Sequence, residues 1–336
     1  MRDSKPWKTY EQQLDILIAR GLTVTDRPQA LMCLERIGYY RLSGYLYSFR
    51  ERSEICCPLG KQTQRKKPKQ GEADCLVLDS YKSGATFKSA VDLYVFDKRL
   101  RLLMLDALER IEIALRVDIS HTLGEKDRFA YLKPEYFFKK FTQELNSKTG
   151  LTKHQSWLSR HDQLINRSKE VFIHHNKEKY GLPVAIWVAC EVWDFGTMST
   201  LFAGMKQEDQ DAIAGKYGVG NGRVFASWLR SLNYIRNVCA HHSRLWNRNV
   251  IDKPRLPSEG ELSWMDTFRN DEHGKARPFL VFCIVLFLLQ RINPSSSWGE
   301  RMKIFLLDFP DLSHLELNLQ GMGAPEGWEE WRLWKE

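Results

Sequence analysis

The stretch Arg236-Asn237-Val238-Cys239-Ala240-His241-His242 sets a strong cation, an amide and two imidazoles close together. An imidazole titrates near neutrality, so it can take a proton from a ribose 2′-hydroxyl or give one to a leaving 5′-oxygen. A guanidinium fork matches a phosphate and the extra charge that phosphate carries in a transition state. RNA brings its own nucleophile, so this chemistry needs neither a metal nor a nucleophilic side chain. Asn237 and His241 stand at i, i+4 and share a helix face, which can hold an imidazole in one tautomer and direction. His242 is the fallback for the same role. The alternative reading is a core helix that merely ends in two histidines, with Arg236 in an ion pair.

An arginine followed by four to six residues and a histidine is the shape of a HEPN ribonuclease motif. Arg116 to His121 and Arg167 to His174 also fit that range. Only Arg236 is followed immediately by asparagine and lies on a strongly amphipathic segment that ends in a doubled histidine. Other signatures are absent from the sequence: no P-loop, no H-E-x-x-H, no G-x-S-x-G and no EF-hand loop. In the pairs His174-His175 and His241-His242, neighbours on a helix point about 100° apart, which makes a poor two-ligand face for a metal. No cofactor and no metal are expected.

The elements that must position these residues read as helices. Thr9-x-x-Gln12 is a capping box before the stripe Tyr10, Leu14, Leu17 and Ile18, closed by Gly21. A second helix starts near Asp26-Arg27-Pro28 and stops at Gly38. From Thr86 to Gly124 one face stays apolar through Leu93, Phe96, Leu100, Leu103, Ala107, Ile111, Leu115 and Ile119, with Glu112 and Arg116 as a surface i, i+4 pair. Further helices are expected within 125–180, from Pro183 through Trp193, and over 205–218. A final amphipathic one runs from Arg223 to about Asn247, with Phe225, Trp228, Leu229, Leu232, Ile235 and Cys239 inward. Strand signals are weak throughout, so the pattern predicts an all-α fold with a helical bundle at its centre. The expected division is an N-terminal helical module over 1–50, a basic loop or insertion over 51–84, and a helical domain over 85–336.

The 336 residues are 43% hydrophobic and 27% charged, the balance of a folded globular chain rather than a disordered one. A net charge of +8 suits an anionic partner. The seven cysteines, with no C-x-x-C pair, speak against a disulfide framework or a zinc finger and for a reducing, cytoplasmic setting. The longest apolar run, Phe279 to Leu289, is too short for a bilayer, which needs about 20 residues. No membrane association is expected. The segment 39–50 interleaves rings and guanidines. Tyr39, Tyr40, Arg41, Tyr45 and Arg50 are candidates for base stacking and phosphate contact, with Arg244 beside the histidines. Core packing is the alternative for the rings, and a solvated charge run the alternative for Arg65-Lys66-Lys67-Pro68-Lys69.

Several blocks in fixed order carry a resemblance. They include Lys5-Pro6 with Thr9-Tyr10-Glu11-Gln12-Gln13-Leu14, and Ile37-Gly38-Tyr39-Tyr40-Arg41-Leu42-Ser43-Gly44-Tyr45. Further blocks are Leu93 to Arg101, Glu109-Arg110-Ile111-Glu112, Glu191-Val192-Trp193-Asp194-Phe195-Gly196, and Leu232 to Trp246. Together they resemble the bacterial abortive-infection (Abi) proteins of the AbiD/AbiF type. The resemblance implies a HEPN-like helical fold, phage defence by growth arrest, and endoribonuclease activity with Arg236, Asn237 and His241 at the site. It also points to a structured non-coding RNA as the controller of a toxin, and a single motif per chain points to a homodimer. Residues 52–76 depart from the family pattern. The competing function is a non-catalytic RNA-binding or partner-binding module on the same scaffold.

Overall fold

Thr9 opens the first helix in the way its spacing predicts. Its hydroxyl accepts from the Gln12 backbone N–H at 3.2 Å while the Gln12 side chain accepts from the Thr9 N–H at 3.0 Å. The helix, α1, spans Tyr10–Ala19. Asp26 caps α2 (Arg27–Ile37) through the Gln29 N–H, and Gly38, at φ +92°, breaks the chain before α3 (Tyr39–Leu46). A left-handed φ is cheap only for glycine, which explains why the chain turns there. The computed structural model describes residues 6–53 and 76–335. Arg50–Arg52 (β1) and Val77–Tyr81 (β2) pair as an antiparallel ribbon, Arg50 opposite Tyr81 and Arg52 opposite Val77. The edges of the expected 51–84 loop are therefore strands. Cys56, Cys57, Cys75 and the Arg65–Lys69 cluster lie outside the described residues.

The long apolar stripe forms α4, a helix of 40 residues, Phe87–Lys126. It is followed by α5 (Lys139–Gln143), α6 (Lys153–Arg167), α7 (Val171–Tyr180), α8 (Ile186–Ala189), α9 (Phe195–Gly204), α10 (Gln207–Lys216) and α11 (Gly222–Ala240). Two short turns, α12 (Ser263–Asp266) and α13 (Glu272–Lys275), precede α14 (Pro278–Ile292) and α15 (Trp298–Leu307). The chain divides into two compact units, Met1–Arg99 with Asp308–Leu319, and Leu100–Leu307 with Gln320–Glu336. The division falls inside α4 rather than at a loop.

In the first unit, Leu14, Leu17, Leu34, Leu42 and Phe49 are fully buried. Asp97 is buried too, and its carboxylate accepts the Tyr45 hydroxyl at 2.7 Å. The Asp308–Leu319 segment packs here through Phe309, edge-on to Phe96 with centroids 4.9 Å apart.

The second unit is built on α14, where Pro278 to Leu289 are all buried. A helix apolar on every side belongs in a core. Trp228 of α11 meets Phe287 edge to face, and its indole N–H donates to the Arg255 carbonyl at 2.9 Å. Gly222 is held tight against α10: a Cβ there would sit 2.4 Å from the Gln210 Cβ. The expected helix from Pro183 is shorter than predicted. It is the single turn α8 and a 3₁₀ turn, Cys190–Val192, because Asp194 starts α9 by accepting the Thr197 N–H. Likewise α11 stops at Ala240, seven residues before Asn247. The fold is all-α apart from the small ribbon. Among the described residues no helix is long and apolar enough to cross a membrane, and no cluster of potential metal ligands forms.

Candidate active site

Helix α11 presents the candidate residues from a well-anchored rod. Phe225, Trp228, Leu229, Leu232, Ile235, Val238 and Cys239 are buried, while Arg223, Arg230 and Asn237 are exposed. Five residues turn an α-helix through about 500°, so Arg236 and His241 leave the axis about 140° apart. The structure accordingly sends them to different surroundings.

Arg236 faces α4. Its Nε lies 3.9 Å from Glu112 Oε2, and the same carboxylate meets Arg116 Nη2 at 3.4 Å. Arg116 is further tied to Glu191 at 3.5 Å and to the Trp193 carbonyl at 3.2 Å. The Glu112–Arg116 pair predicted on the surface is in fact largely enclosed, each side chain only 15% exposed. Burial raises the Glu112 carboxyl above the ordinary glutamate range, while Arg236 and then Arg116 pull it down. Leu105, Glu109, Glu112, Ile113, Arg116 and Arg236 line a cavity of about 420 Å³ at this point. Glu112 thus faces the candidate site as the carboxylate partner of Arg236. Arg116, from the second Arg-to-His spacing, serves to fix this carboxylate.

The two histidines form the end of the helix. His241 is the C-cap, its N–H bonded to the Asn237 carbonyl at 3.0 Å. His242 follows at φ +55°, the left-handed region. Its N–H donates to the Cys239 carbonyl at 3.1 Å and that of Ser243 to the Val238 carbonyl at 2.9 Å. These two bonds make a Schellman turn with histidine where glycine is usual. Beyond it the chain is pinned again. Buried Arg101 donates to the Ser243 carbonyl at 3.3 Å, and Leu245 and Trp246 are buried. Both imidazoles are exposed on this turn. Among the described residues, no side-chain hydrogen bond joins Asn237 to His241, although the two share a face.

The other candidates separate. Tyr45 is 2% exposed and bonded to Asp97, so its ring is packing material. Tyr40 is 82% exposed and edge-on to half-buried Tyr39, and Arg41 is exposed. Arg50 bridges to Asp79 at 3.2 Å. Arg244 is half-buried, and burial together with its charge lowers the pKa of Arg277.

A family model described as "Abi-like protein" matches residues 32–247, which take in α3, α4 and the whole of α11. No curated protein and no solved structure matches the chain. The chain belongs to the Abi-like protein family. That membership supports a role in abortive infection, a defence against phage.

Proposed function

We propose that this Abi-like chain is a metal-independent endoribonuclease of the HEPN type, a cytoplasmic phage-defence toxin restrained by a bound structured non-coding RNA. The observation that carries the reading is the end of α11: two exposed imidazoles on a strained turn, fixed from both sides. Strain of this kind costs of order 1 kcal/mol and persists where the surroundings hold it. Arg236, five residues earlier, faces the largely enclosed Glu112 carboxylate at 3.9 Å.

In this reading His241 takes the proton of the 2′-hydroxyl as O2′ bonds to phosphorus. The P–O5′ bond breaks, and a protonated imidazole supplies the proton to the leaving 5′-oxygen. The products are a 2′,3′-cyclic phosphate and a 5′-hydroxyl. Arg236 neutralises the non-bridging oxygens of the pentacoordinate phosphorus. Because Arg236 and His241 diverge on one helix, the catalytic pair is completed between two copies of the chain.

The test is RNA cleavage by wild type, Arg236→Ala and His241→Ala side by side, with EDTA present. Both variants should lose on the order of 10²–10³ in rate, and the wild-type products should carry cyclic phosphate ends. Unchanged cleavage by both variants would sink the site. RNA that co-purifies with the protein should be one discrete structured species rather than a random sample.

A second reading, RNA binding without catalysis, is favoured by one observation: the Arg236 guanidinium already has a carboxylate partner. It predicts RNA affinity in a protein that cleaves under no activating condition.

A further inference from the structure

A basic concavity of the second unit lies along the other end of α11. Lys139, Lys140, Lys153, Arg160, Arg223 and Arg230 line a groove of about 1380 Å³ between α5, α6, α9 and α11. Among the described residues its lining contains a single acid, Asp194, and that carboxylate is spent: it accepts from Arg160 at 2.7 Å and from the Thr197 N–H at 2.8 Å. Those bonds hold it ionised below the usual aspartate range despite the cost of its burial. Lys140 has Glu144 at 3.6 Å. Among the described residues, Lys139, Lys153, Arg223 and Arg230 have no carboxylate partner, and all four are exposed. Four uncompensated cations around one concavity repel each other unless an anion joins them.

The floor is mixed, with Ser156, Thr197 and Thr200 beside the apolar residues. Trp157 and Phe141 are buried beneath it, and half-buried Phe138 and exposed Leu151 flank it. The volume exceeds the range of about 300–1,000 Å³ usual for a compact small-molecule site. Uncompensated cations around the groove, with the half-buried Phe138 ring and exposed Leu151 among them, suit the phosphate backbone of a single-stranded nucleic acid, with Phe138 within reach of a base.

Direction comes from α11. Residues 223, 230, 237 and 241 fall within about 40° of one another around a helix of 3.6 residues per turn, on a line about 27 Å long. Arg223, Arg230, Asn237 and His241 are the exposed positions on that line. A strand leaving the groove along it arrives at the imidazole.

We propose that this groove is the binding track for the single-stranded RNA substrate, which runs from Lys139, Lys153 and Arg223 past Arg230 to His241. The assignment deepens the ribonuclease reading and rests on it for the destination of the strand, but the groove can be tested alone.

The probe is a fluorescein-labelled 15-nucleotide oligo-uridylate, followed by anisotropy with the full-length protein in a His241→Ala background at several salt concentrations. Lys139→Ala/Lys153→Ala/Arg230→Ala should weaken binding at least tenfold at 150 mM salt. Three lost phosphate contacts should flatten the slope of log K against log salt by about 2. A charge-matched control, Arg36→Ala/Lys169→Ala/Lys206→Ala, removes exposed cations outside the groove and should change affinity less than threefold. Melting temperatures of both variants check folding. Equal losses in the two triple variants would overturn the track, as would displacement of the RNA by polyglutamate of the same charge. If wild type cleaves and the groove variant cleaves equally well, the track falls and the ribonuclease reading stands. If wild type cleaves nothing but the groove variant still loses binding, the groove stands as an RNA site and the ribonuclease reading falls.

Discussion

Glu112 of α4 and Arg236 of α11 meet at 3.9 Å across two helices, with Arg116 holding the other oxygen of the same carboxylate at 3.4 Å. One largely enclosed acid therefore sits between two guanidinium groups. Removing it leaves two cations facing each other in a partly enclosed place, where repulsion is poorly screened.

Glu112→Gln should lower the rate of RNA cleavage about tenfold without abolishing it, because Arg236 loses its orienting partner but remains present. Burial raises the folded-state pKa of Glu112 above its unfolded value. The folded chain then holds more protons in the window just above pH 4.5, so the Glu112 contribution to stability is full below that pH and declines as pH rises. Urea unfolding from pH 4.5 to 8 should show a decline that Glu112→Gln reduces. An identical pH profile in wild type and variant would contradict the assignment.

The left-handed His242 gives an ordering of stabilities. Glycine adopts φ +55° freely, histidine tolerates it at a cost, and β-branched valine pays most. Denaturation should therefore rank His242→Gly above wild type by about 0.5–1 kcal/mol and His242→Val below it by more than 1 kcal/mol. If His242→Gly also cleaves RNA normally, His241 alone carries the proton transfer. Loss of cleavage in a stable His242→Gly protein would move the role to His242.

The same turn shows what the sequence could and could not tell. The start of α1 was legible because a capping box is local, as was the burial of α14, whose apolar run has no polar side. The end of α11 was not, since no glycine or proline marks it and the Schellman bonds depend on a histidine accepting an unusual φ. The β1–β2 ribbon joins strands of three and five residues that are distant in sequence. Their pairing leaves no periodic trace. Spacing alone gave Glu112 and Arg116 as a pair but could not say that α11 and the Trp193 carbonyl close over them. Tyr45 was one aromatic among many until Asp97 supplied its partner. The groove cations come from residues 139 to 230, so no local window contains them.

A pH test of the core concerns His161, which is 4% exposed and stacked on Trp157. Trp193 donates its indole N–H to His161 Nδ1 at 3.0 Å, which suits the neutral ring. Burial pulls the imidazole down to about 4, against a small opposing effect of Asp162. His154, also buried, is lowered in the same direction. The unfolded chain takes up protons near pH 6.5 that the folded chain refuses, so stability falls as pH drops from about 6.5 to about 4. The loss from His161 approaches about 3 kcal/mol at the lower end. His161→Gln keeps an acceptor for Trp193 and should flatten this fall. Unfolding curves at pH 7 and 4.5 for the two proteins decide it, and equal losses would refute the assignment.

The last prediction concerns completion of the site between copies. Arg236 and His241 stand about 140° apart around α11, so a phosphate held by one chain's arginine is poorly served by the same chain's imidazole. A two-fold arrangement would set the arginine of one copy beside the histidine of the other. Such a site makes a mixing experiment informative. Arg236→Ala and His241→Ala proteins, each inactive alone, should recover cleavage when unfolded together and refolded, because about half of the random dimers then hold one intact arginine and one intact histidine. Light scattering should give the mass of a dimer for wild type. A strictly monomeric protein that cleaves RNA, or a refolded mixture no more active than its components, would show that one chain completes its own site.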